Sequence, residues 1–182
     1  MHRRPILRLW LETPAILALA LTAMSLGWAS PSFLQAQTQT SEETNTANER
    51  HVSFLEDCLA AATSTGDTPN RCLGTLAEPC MKRPENQSNA GVVGCYRNEN
   101  AAWSALRARF SARLQDGLST DEALAALEAA EDAWRHYRDE SCALPFSVID
   151  GDAASVWSAT CANNKTAERA IDLYRMLPMV GF

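Results

Sequence analysis

Residues 119–142 read STDEALAALEAAEDAWRHYRDESC, and this stretch decides the fold class. Ser119 or Thr120 is placed to cap the N-terminus of a helix, and the acidic residues that follow suit its positive end. Apolar side chains then recur at spacings of 4, 3, 4 and 3, the period of an amphipathic helix. They are Ala123, Leu127, Ala130, Trp134 and Tyr137. The pattern predicts a helix that turns these five side chains toward the core.

The segment before it predicts a second long helix. This helix is expected to run from about Tyr96 to Gln115, where Asp116-Gly117 stops it. One of its faces carries the bulky apolar residues Trp103, Leu106, Phe110 and Leu114. Because the connection between the two helices is short, we expect them to be antiparallel neighbours.

Three further helices are predicted, over residues 49–63, 71–78 and 162–177. Their inward-facing residues include Val52, Leu55, Leu59, Ala170, Leu173 and Leu177. Pro79 is expected to end or kink the middle one, and glycine and proline make residues 83–94 and 143–160 irregular. No segment alternates as a strand would. The fold class predicted is therefore all-α, a small disulfide-stapled bundle of about five helices over residues 49–182.

Six cysteines lie near the ends of the predicted helices: Cys58, Cys72, Cys80, Cys95, Cys142 and Cys161. Six cysteines allow 15 pairings, among which sequence cannot choose rigorously. Sequential pairing would staple each helix end to the next helix start, and closing loops of about 13 to 18 residues contributes about 3 kcal/mol each. A Cys72–Cys80 bond is disfavoured because eight helical residues separate the Cα atoms by about 12 Å, unless Pro79 breaks the helix early. We expect the pairs Cys58–Cys72, Cys80–Cys95 and Cys142–Cys161.

The first 36 residues have the order of a secretory signal peptide. A basic start is followed by an apolar run over 14–28 and by small residues, with cleavage expected after Ala36 or, alternatively, after Ala29. An uncleaved membrane anchor is the other interpretation, although the apolar run falls short of the roughly 20 residues that a span needs. Residues 37–48 are polar and of low complexity, and we expect a flexible leader there.

Composition excludes one large class of function. The chain has 16 basic and 22 acidic side chains, a net charge of −6, and its isoelectric point is about 5.1. Removal of residues 1–36 takes away three arginines and one glutamate and leaves −8. Such a chain is not expected to bind nucleic acid, and it favours a basic partner. Paired cysteines indicate an oxidising compartment.

Three stretches together resemble a known family. They are VVGCYRNENAAWSALRARF at Val92–Phe110, AWRHYRDESC at Ala133–Cys142 and CANNKTAERAIDLYRML at Cys161–Leu177. They are similar to the Cys, Glu and Trp helix entry, the Trp-x-x-Tyr/Phe-Arg-Asp-x-x-Cys signature and the Cys…Thr-x-x-Arg…Leu ending of the lysozyme inhibitor LprI-like N-terminal domain family. The resemblance covers about residues 85–177.

The resemblance implies a small, mostly helical, disulfide-bonded domain that is exported, in the bacterial periplasm or secreted. It also implies lysozyme inhibition as the function. The mechanism expected is steric occlusion of the enzyme cleft by a monomer, without a covalent step, a cofactor or a metal. No membrane association is expected once the signal peptide has been cleaved.

Charged residues within the resembling stretches predict a structural ion network. Arg138 and Asp139 belong to the second stretch, and Arg169 belongs to the third. We expect them to meet one another or Glu99 in a partly buried network that locks three helices together.

The segment Ala143–Thr160 is the candidate interaction loop. A Cys142–Cys161 bond would constrain it, and it holds Phe146, Asp150, Asp152 and Trp157. Aromatic anchors beside acidic groups suit an interface with a basic protein such as lysozyme. In the alternative interpretation, the two aromatic side chains cover the end of the bundle.

Enzyme motifs are missing from the sequence. It contains neither a Gly-x-Ser-x-Gly elbow nor a His-Glu-x-x-His zinc pattern, and pairing of all six cysteines leaves no thiolate nucleophile. We expect a protein that is not an enzyme. Two alternatives to a lysozyme inhibitor stay open: an envelope structural or stress-related protein-binding module, and a small hydrolase, which would need a cleft with paired carboxylates.

Overall fold

The computed structural model describes residues 31–181, with side chains from residue 45 onward. Its helices are α1 (Pro31–Ser64), α2 (Ala77–Met81), α3 (Asn89–Gly117), α4 (Asp121–Ala143), α5 (Pro145–Val148) and α6 (Ala153–Met176). Short 3-10 turns occupy Pro69–Cys72, Pro84–Asn86 and Leu177–Val180. The predicted all-α, disulfide-stapled fold is confirmed, and the described part of the chain contains no strand.

The N-terminal boundary differs from the sequence prediction. Residues 37–48, expected to be a flexible leader, belong to α1. Neither glycine nor proline occurs between residues 32 and 65, so helical hydrogen bonding extends outward from the half of α1 that the core anchors. Of the predicted signal peptide, residues 1–30 lie outside the described residues, and the peptide stays a prediction.

Helices α3 and α6 form the centre of the domain and run in the same direction. The side chain of Asn163 lies 3.1 Å from that of Glu99, and the ring of Tyr174 lies 5.4 Å from that of Phe110. In both pairs, the α6 residue follows the α3 residue by the same number of positions in the chain. Such a constant separation means that the two helices run parallel. Helix α1 also packs against α3.

The core is built from the inner faces predicted for three of the helices. Its buried residues are Val52, Leu55, Leu59, Cys72, Ala102, Trp103, Leu106, Phe110, Leu114, Ala167, Ala170, Ile171, Leu173 and Leu177. The predicted apolar faces of α1, α3 and α6 are therefore confirmed. Removal of these side chains from water is the main favourable contribution to folding.

Of the apolar stripe predicted for α4, only Leu127 is among the residues that pack against the buried core. Tyr137 is 56% exposed, and the buried residues of α4 are Glu131 and Cys142. Helix α4 packs against α6, and a groove separates it from α3. The close packing predicted between α3 and α4 was therefore wrong, because periodicity identifies an apolar face without showing whether another helix covers it.

Helix α3 begins at Asn89, seven residues before the predicted start. The hydroxyl of Ser88 accepts a hydrogen bond from the backbone N–H of Gly91 and caps the helix. Glycine commonly interrupts helices, but Gly91 lies inside α3, where the absence of a side chain allows the backbone of Asn86 to approach closely. A Cβ atom at this position would lie 2.5 Å from the backbone of Asn86. Because α3 begins at Asn89, Cys95 lies inside the helix instead of preceding it.

The segment predicted to be irregular over 143–160 is also largely helical. Pro145 occupies the first turn of α5, where a missing N–H costs nothing. Gly151, with φ of +76°, makes the turn into α6, which starts nine residues before the predicted Ala162.

The helix predicted over 71–78 is interrupted instead, because Gly74 has φ of +79° and Pro79 lies in the first turn of α2.

Three disulfides join the helices in the predicted pairs. Their Cα–Cα distances are 6.0 Å for Cys58–Cys72, 5.7 Å for Cys80–Cys95 and 5.4 Å for Cys142–Cys161. All six cysteines are used, and none of those described is free. The bonds link the first 3-10 turn to α1, α2 to α3, and α4 to α6, so each peripheral element is tied to a long helix.

Candidate functional site

The segment enclosed by the Cys142–Cys161 disulfide carries the most exposed group of apolar side chains on these helices. Phe146 is 60% exposed and Trp157 is 62% exposed, so neither side chain is covered. Leu144 and Val148, which sequence reasoning did not select, are 59% and 70% exposed. We refer to these four residues as the apolar quartet. Three of them lie on or beside α5, and Trp157 lies in the first turns of α6.

Acidic side chains flank the quartet. Asp150 and Asp152 are both exposed, on either side of Gly151 in the turn between α5 and α6. The structure therefore brings the four predicted loop residues into one disulfide-closed segment. The segment is a helix, a turn and a helix start, so its side chains are held on a framework of backbone hydrogen bonds.

A groove runs between α3 and the start of α6 beside this segment. One part is a cavity of about 220 Å³, and its lining residues are Arg97, Asn100, Phe146, Ser155, Ser158, Ala159 and Ala162. A second cavity of about 330 Å³ shares Arg97 and Ser155 with the first and reaches Asp152. The Oδ1 atom of Asn100 is buried without a hydrogen-bond partner. The groove thus combines one aromatic wall with polar groups.

Glu99 is completely buried, and N–H groups surround its carboxylate. Oε1 accepts hydrogen bonds from the backbone of Gly74 at 2.8 Å, the Trp103 indole at 3.1 Å and the Asn163 amide at 3.1 Å. Oε2 accepts from the backbone N–H groups of Leu76 at 2.9 Å and Ala77 at 2.7 Å. Five donors satisfy the charge without a basic side chain.

The predicted ion network of Glu99, Arg138, Asp139 and Arg169 does not form as one unit. Among the described residues, Glu99 makes no ion pair, and Arg138 pairs with its neighbour Asp139 at the surface. Arg169 instead pairs with Glu131 at 2.7 Å. The prediction failed because backbone N–H groups of a distant loop, which no side-chain pattern reveals, satisfy Glu99.

Glu131 is the residue that joins three helices. Its carboxylate, on α4, accepts from Arg169 on α6 and also from Arg107 on α3. Trp134 lies between two guanidinium groups, with Arg107 4.9 Å and Arg138 4.8 Å from its ring. Cation–π contacts and a shared carboxylate therefore attach the exposed helix α4. Sequence reasoning missed Glu131 because it assigned this helix an apolar inner face.

The groove between α3 and α4 has a volume of about 470 Å³ and includes Glu128, Glu131 and Asp132 in its lining. Two of these carboxylates are engaged by arginines: Glu131 by Arg107 and Arg169, and Asp132 by Arg135. In residues 31–181, this groove included, no group of three or more His, Cys, Asp or Glu side chains is placed to hold a metal ion. No helix within the same range is both long and apolar enough to span a membrane.

A family model described as Lysozyme inhibitor LprI matches residues 80–173 of the chain. The chain belongs to the LprI family of lysozyme inhibitors. The LprI match includes α3, α4, α5 and most of α6, and so contains the Glu99 carboxylate, the Glu131 network and the apolar quartet. It starts a few residues before the resemblance found in the sequence and ends a few residues earlier. Neither the curated proteins nor the solved structures compared with the chain gave a match.

Within the LprI match, the signature residues have structural roles. Trp103 donates to Glu99, Trp134 stacks between arginines, and Cys142 and Cys161 close the third disulfide. The exposed residues of the quartet make no comparable contribution to the core. They are the most exposed large apolar side chains within the match.

Proposed function

We propose that this protein is an exported, non-enzymatic lysozyme inhibitor that acts by steric occlusion of the enzyme cleft. Membership of the LprI family is the observation that carries the proposal. The contact surface proposed is the apolar quartet together with Asp150 and Asp152. No covalent step and no cofactor are needed, because an obstructed cleft excludes the polysaccharide substrate.

Exposure and rigidity support this choice of surface. Each side chain of the quartet is more than half exposed, and exposed large apolar side chains grouped in one segment are candidates for an interaction site. Trp157 and Phe146 can bury large areas on a partner, and aromatic residues are frequent among those that dominate binding energy. The disulfide and the helical hydrogen bonds fix the segment before binding, which lowers the entropy cost of association.

The charge of the chain supports a basic partner. Its net charge is −6, and Asp150 and Asp152 place negative charge beside the apolar quartet. Lysozymes are typically basic proteins. Opposite charges accelerate encounter and select orientation, whereas the buried apolar contacts determine how slowly the complex dissociates.

The disulfides support an extracellular or periplasmic location. Three bonds that use all six cysteines persist in oxidising compartments and are rare in the cytosol. We propose that residues 1–36 direct export and are removed. Mass spectrometry of protein exported from the full-length gene tests this directly, because cleavage after Ala36 and cleavage after Ala29 give different masses.

The hydrolase alternative receives less support. Its requirement is a cleft with two carboxylates able to act as acid and base. In the α3–α4 groove, Glu131 and Asp132 are engaged by arginines, which leaves Glu128 as the carboxylate without such a partner. We therefore favour a binding function, with the envelope protein-binding module as the alternative outcome.

The test is inhibition of a c-type lysozyme by the exported, oxidised protein at about 0.15 M salt, where weak charge attraction is screened. We expect stoichiometric inhibition by the oxidised protein and none by reduced protein. Phe146→Ala and Trp157→Ala should each weaken inhibition about tenfold or more. Met179→Ala is the matched control, because Met179 is an 81% exposed apolar residue outside the surface.

Absence of inhibition by protein with all three disulfides and a helical circular dichroism spectrum would refute the proposal for this class of lysozyme. Equal inhibition by the Trp157 and Met179 variants would refute only the proposed surface.

A further inference from the structure

Arg97 differs from most arginines of the domain in having no acidic partner. Among the described residues, no carboxylate lies within 4.0 Å of its guanidinium, and its side chain is exposed on α3. Seven other arginines pair with an Asp or Glu side chain: Arg71, Arg107, Arg109, Arg135, Arg138, Arg169 and Arg175. Its positive charge is therefore available to a partner.

The position of Arg97 places this charge beside the proposed contact surface. Arg97 and Phe146 line the same cavity, and Arg97 and Asp152 line the neighbouring one. The backbone beneath Arg97 is firmly held, because Cys95 is bonded to α2 and the Glu99 carboxylate is fixed by five hydrogen bonds. A cation on a rigid helix thus stands next to an exposed aromatic ring and an acidic turn.

Glycoside hydrolases of the lysozyme type cleave their substrate with a pair of carboxyl groups in the cleft. A protein that occludes such a cleft meets a negatively charged centre inside an otherwise basic protein. An arginine guanidinium is complementary to that centre, because its fork of N–H groups can bind carboxylates in a bidentate manner. The exposed acidic turn at Asp150 and Asp152 is complementary to the basic surroundings.

We propose that Arg97 enters the cleft of the inhibited lysozyme and binds its catalytic carboxylates, with Phe146 packing beside it against the cleft wall. This inference rests on the proposed function and names the group that blocks the catalytic centre. Arg97 thus neutralises the carboxylates at the position that the sugar ring would occupy.

The first experiment measures the affinity of the full-length, exported and oxidised protein for a c-type lysozyme by calorimetry at about 0.15 M salt. Arg97→Gln should lower affinity about 30-fold or more, as expected for an arginine that dominates an interface. Arg97→Lys should retain part of the affinity, because it keeps the charge and loses the bidentate geometry. Arg50→Gln is the control: Arg50 is likewise exposed and helical, has no carboxylate partner among the side chains that the structure describes, and lies on α1.

The second experiment removes the charge from the enzyme. The native protein should bind a lysozyme in which both catalytic carboxylates are changed to amides about 30-fold more weakly, and Arg97→Gln should cause little further loss with that enzyme. Affinity losses that simply multiply would overturn the pairing between Arg97 and the catalytic groups.

The outcomes separate this inference from the proposed function. Inhibition and affinity unchanged by Arg97→Gln would overturn the role of Arg97 and leave the inhibitor proposal standing. Failure of the native protein to bind or inhibit any lysozyme, with its disulfides intact, would overturn both.

Discussion

The side-chain amide of Asn163 donates a hydrogen bond of 3.1 Å to the carboxylate of Glu99 across the interface between α6 and α3. Both residues are completely buried, and the same carboxylate holds the loop that precedes α2 through three backbone N–H groups. One acidic side chain therefore connects the two parallel core helices with the disulfide-rich N-terminal part of the domain.

Glu99→Gln should destabilise the domain by about 2–4 kcal/mol, because an amide N–H₂ group would replace an oxygen that now accepts hydrogen bonds from buried donors. Chemical denaturation followed by circular dichroism measures this change in the free energy of unfolding. Glu140→Gln, on the exposed face of α4, is the control and should change it by less than about 0.5 kcal/mol. Similar stabilities of the two variants would contradict the role assigned to Glu99.

Glu131→Gln should loosen α4 selectively. The substitution leaves two partly buried guanidinium groups without their shared carboxylate, and the expected cost is about 2–3 kcal/mol. Hydrogen exchange should show faster exchange of α4 amides than of α3 amides. Asp132→Asn removes the neighbouring exposed ion pair and should cost at most about 1 kcal/mol. Uniform acceleration across all helices would contradict a local attachment.

Replacement of Cys142 and Cys161 by alanine should abolish lysozyme inhibition as well as lower stability by about 3 kcal/mol. The bond closes the segment that carries Phe146 and Trp157, so its loss allows the proposed contact surface to become mobile. The matched control replaces Cys58 and Cys72, which close a loop of similar length elsewhere, and should lower stability while retaining inhibition. Loss of inhibition in both variants at a temperature where both are folded would argue against a local role.

Asp150→Asn combined with Asp152→Asn should slow association with lysozyme several-fold at low salt and leave the dissociation rate nearly unchanged. The two carboxylates are exposed, and long-range attraction acts mainly on encounter. Stopped-flow or surface-based kinetics over a range of salt concentrations provides the measurement. A change confined to the dissociation rate would indicate that these groups are buried in the complex.

Lys165→Met should raise the pKa of Tyr137. The ammonium group of Lys165 donates a 2.9 Å hydrogen bond to the phenol oxygen and, with its positive charge, holds the pKa of Tyr137 below its ordinary value. Because the charged phenolate is the form stabilised, removal of the ammonium group moves ionisation to higher pH. Ultraviolet titration measures the shift, with Tyr137→Phe identifying the contribution of this tyrosine. An unchanged titration curve would contradict the contact.

Sequence periodicity predicted those parts of the fold in which an apolar face meets another helix. The inner faces of α1, α3 and α6 and all three disulfide pairs were predicted correctly. Two residues of the stripe on α4 were misassigned, because Trp134 and Tyr137 repeat with helical spacing yet contact cationic side chains instead of a core. Periodicity contains no information about which partner faces a stripe.

Helix boundaries and the polar centre required information that local sequence lacks. Gly91 and Gly151 both resemble helix breakers, but the first allows a close backbone approach inside α3 and the second makes one turn before α6. The environment of Glu99 depends on backbone N–H groups more than 20 residues away. The proposed role of an exposed residue such as Arg97 depends on whether a carboxylate lies close to it, which only the structure shows.

The parallel orientation of α3 and α6 has a consequence for the order in which the chain is assembled. Helix α4, which follows α3 and precedes α6 in the chain, carries the chain back along the domain. The contact between α3 and α6 therefore cannot form until the segment around Tyr174 has been synthesised. Contacts of such long sequence separation slow the search for the native topology. In the export proposed above, the first two disulfides, each between residues 14 or 15 positions apart, have both cysteines available well before α6 arrives. Oxidation can therefore precede core closure, in which case the last helix docks on an N-terminal half that is already cross-linked.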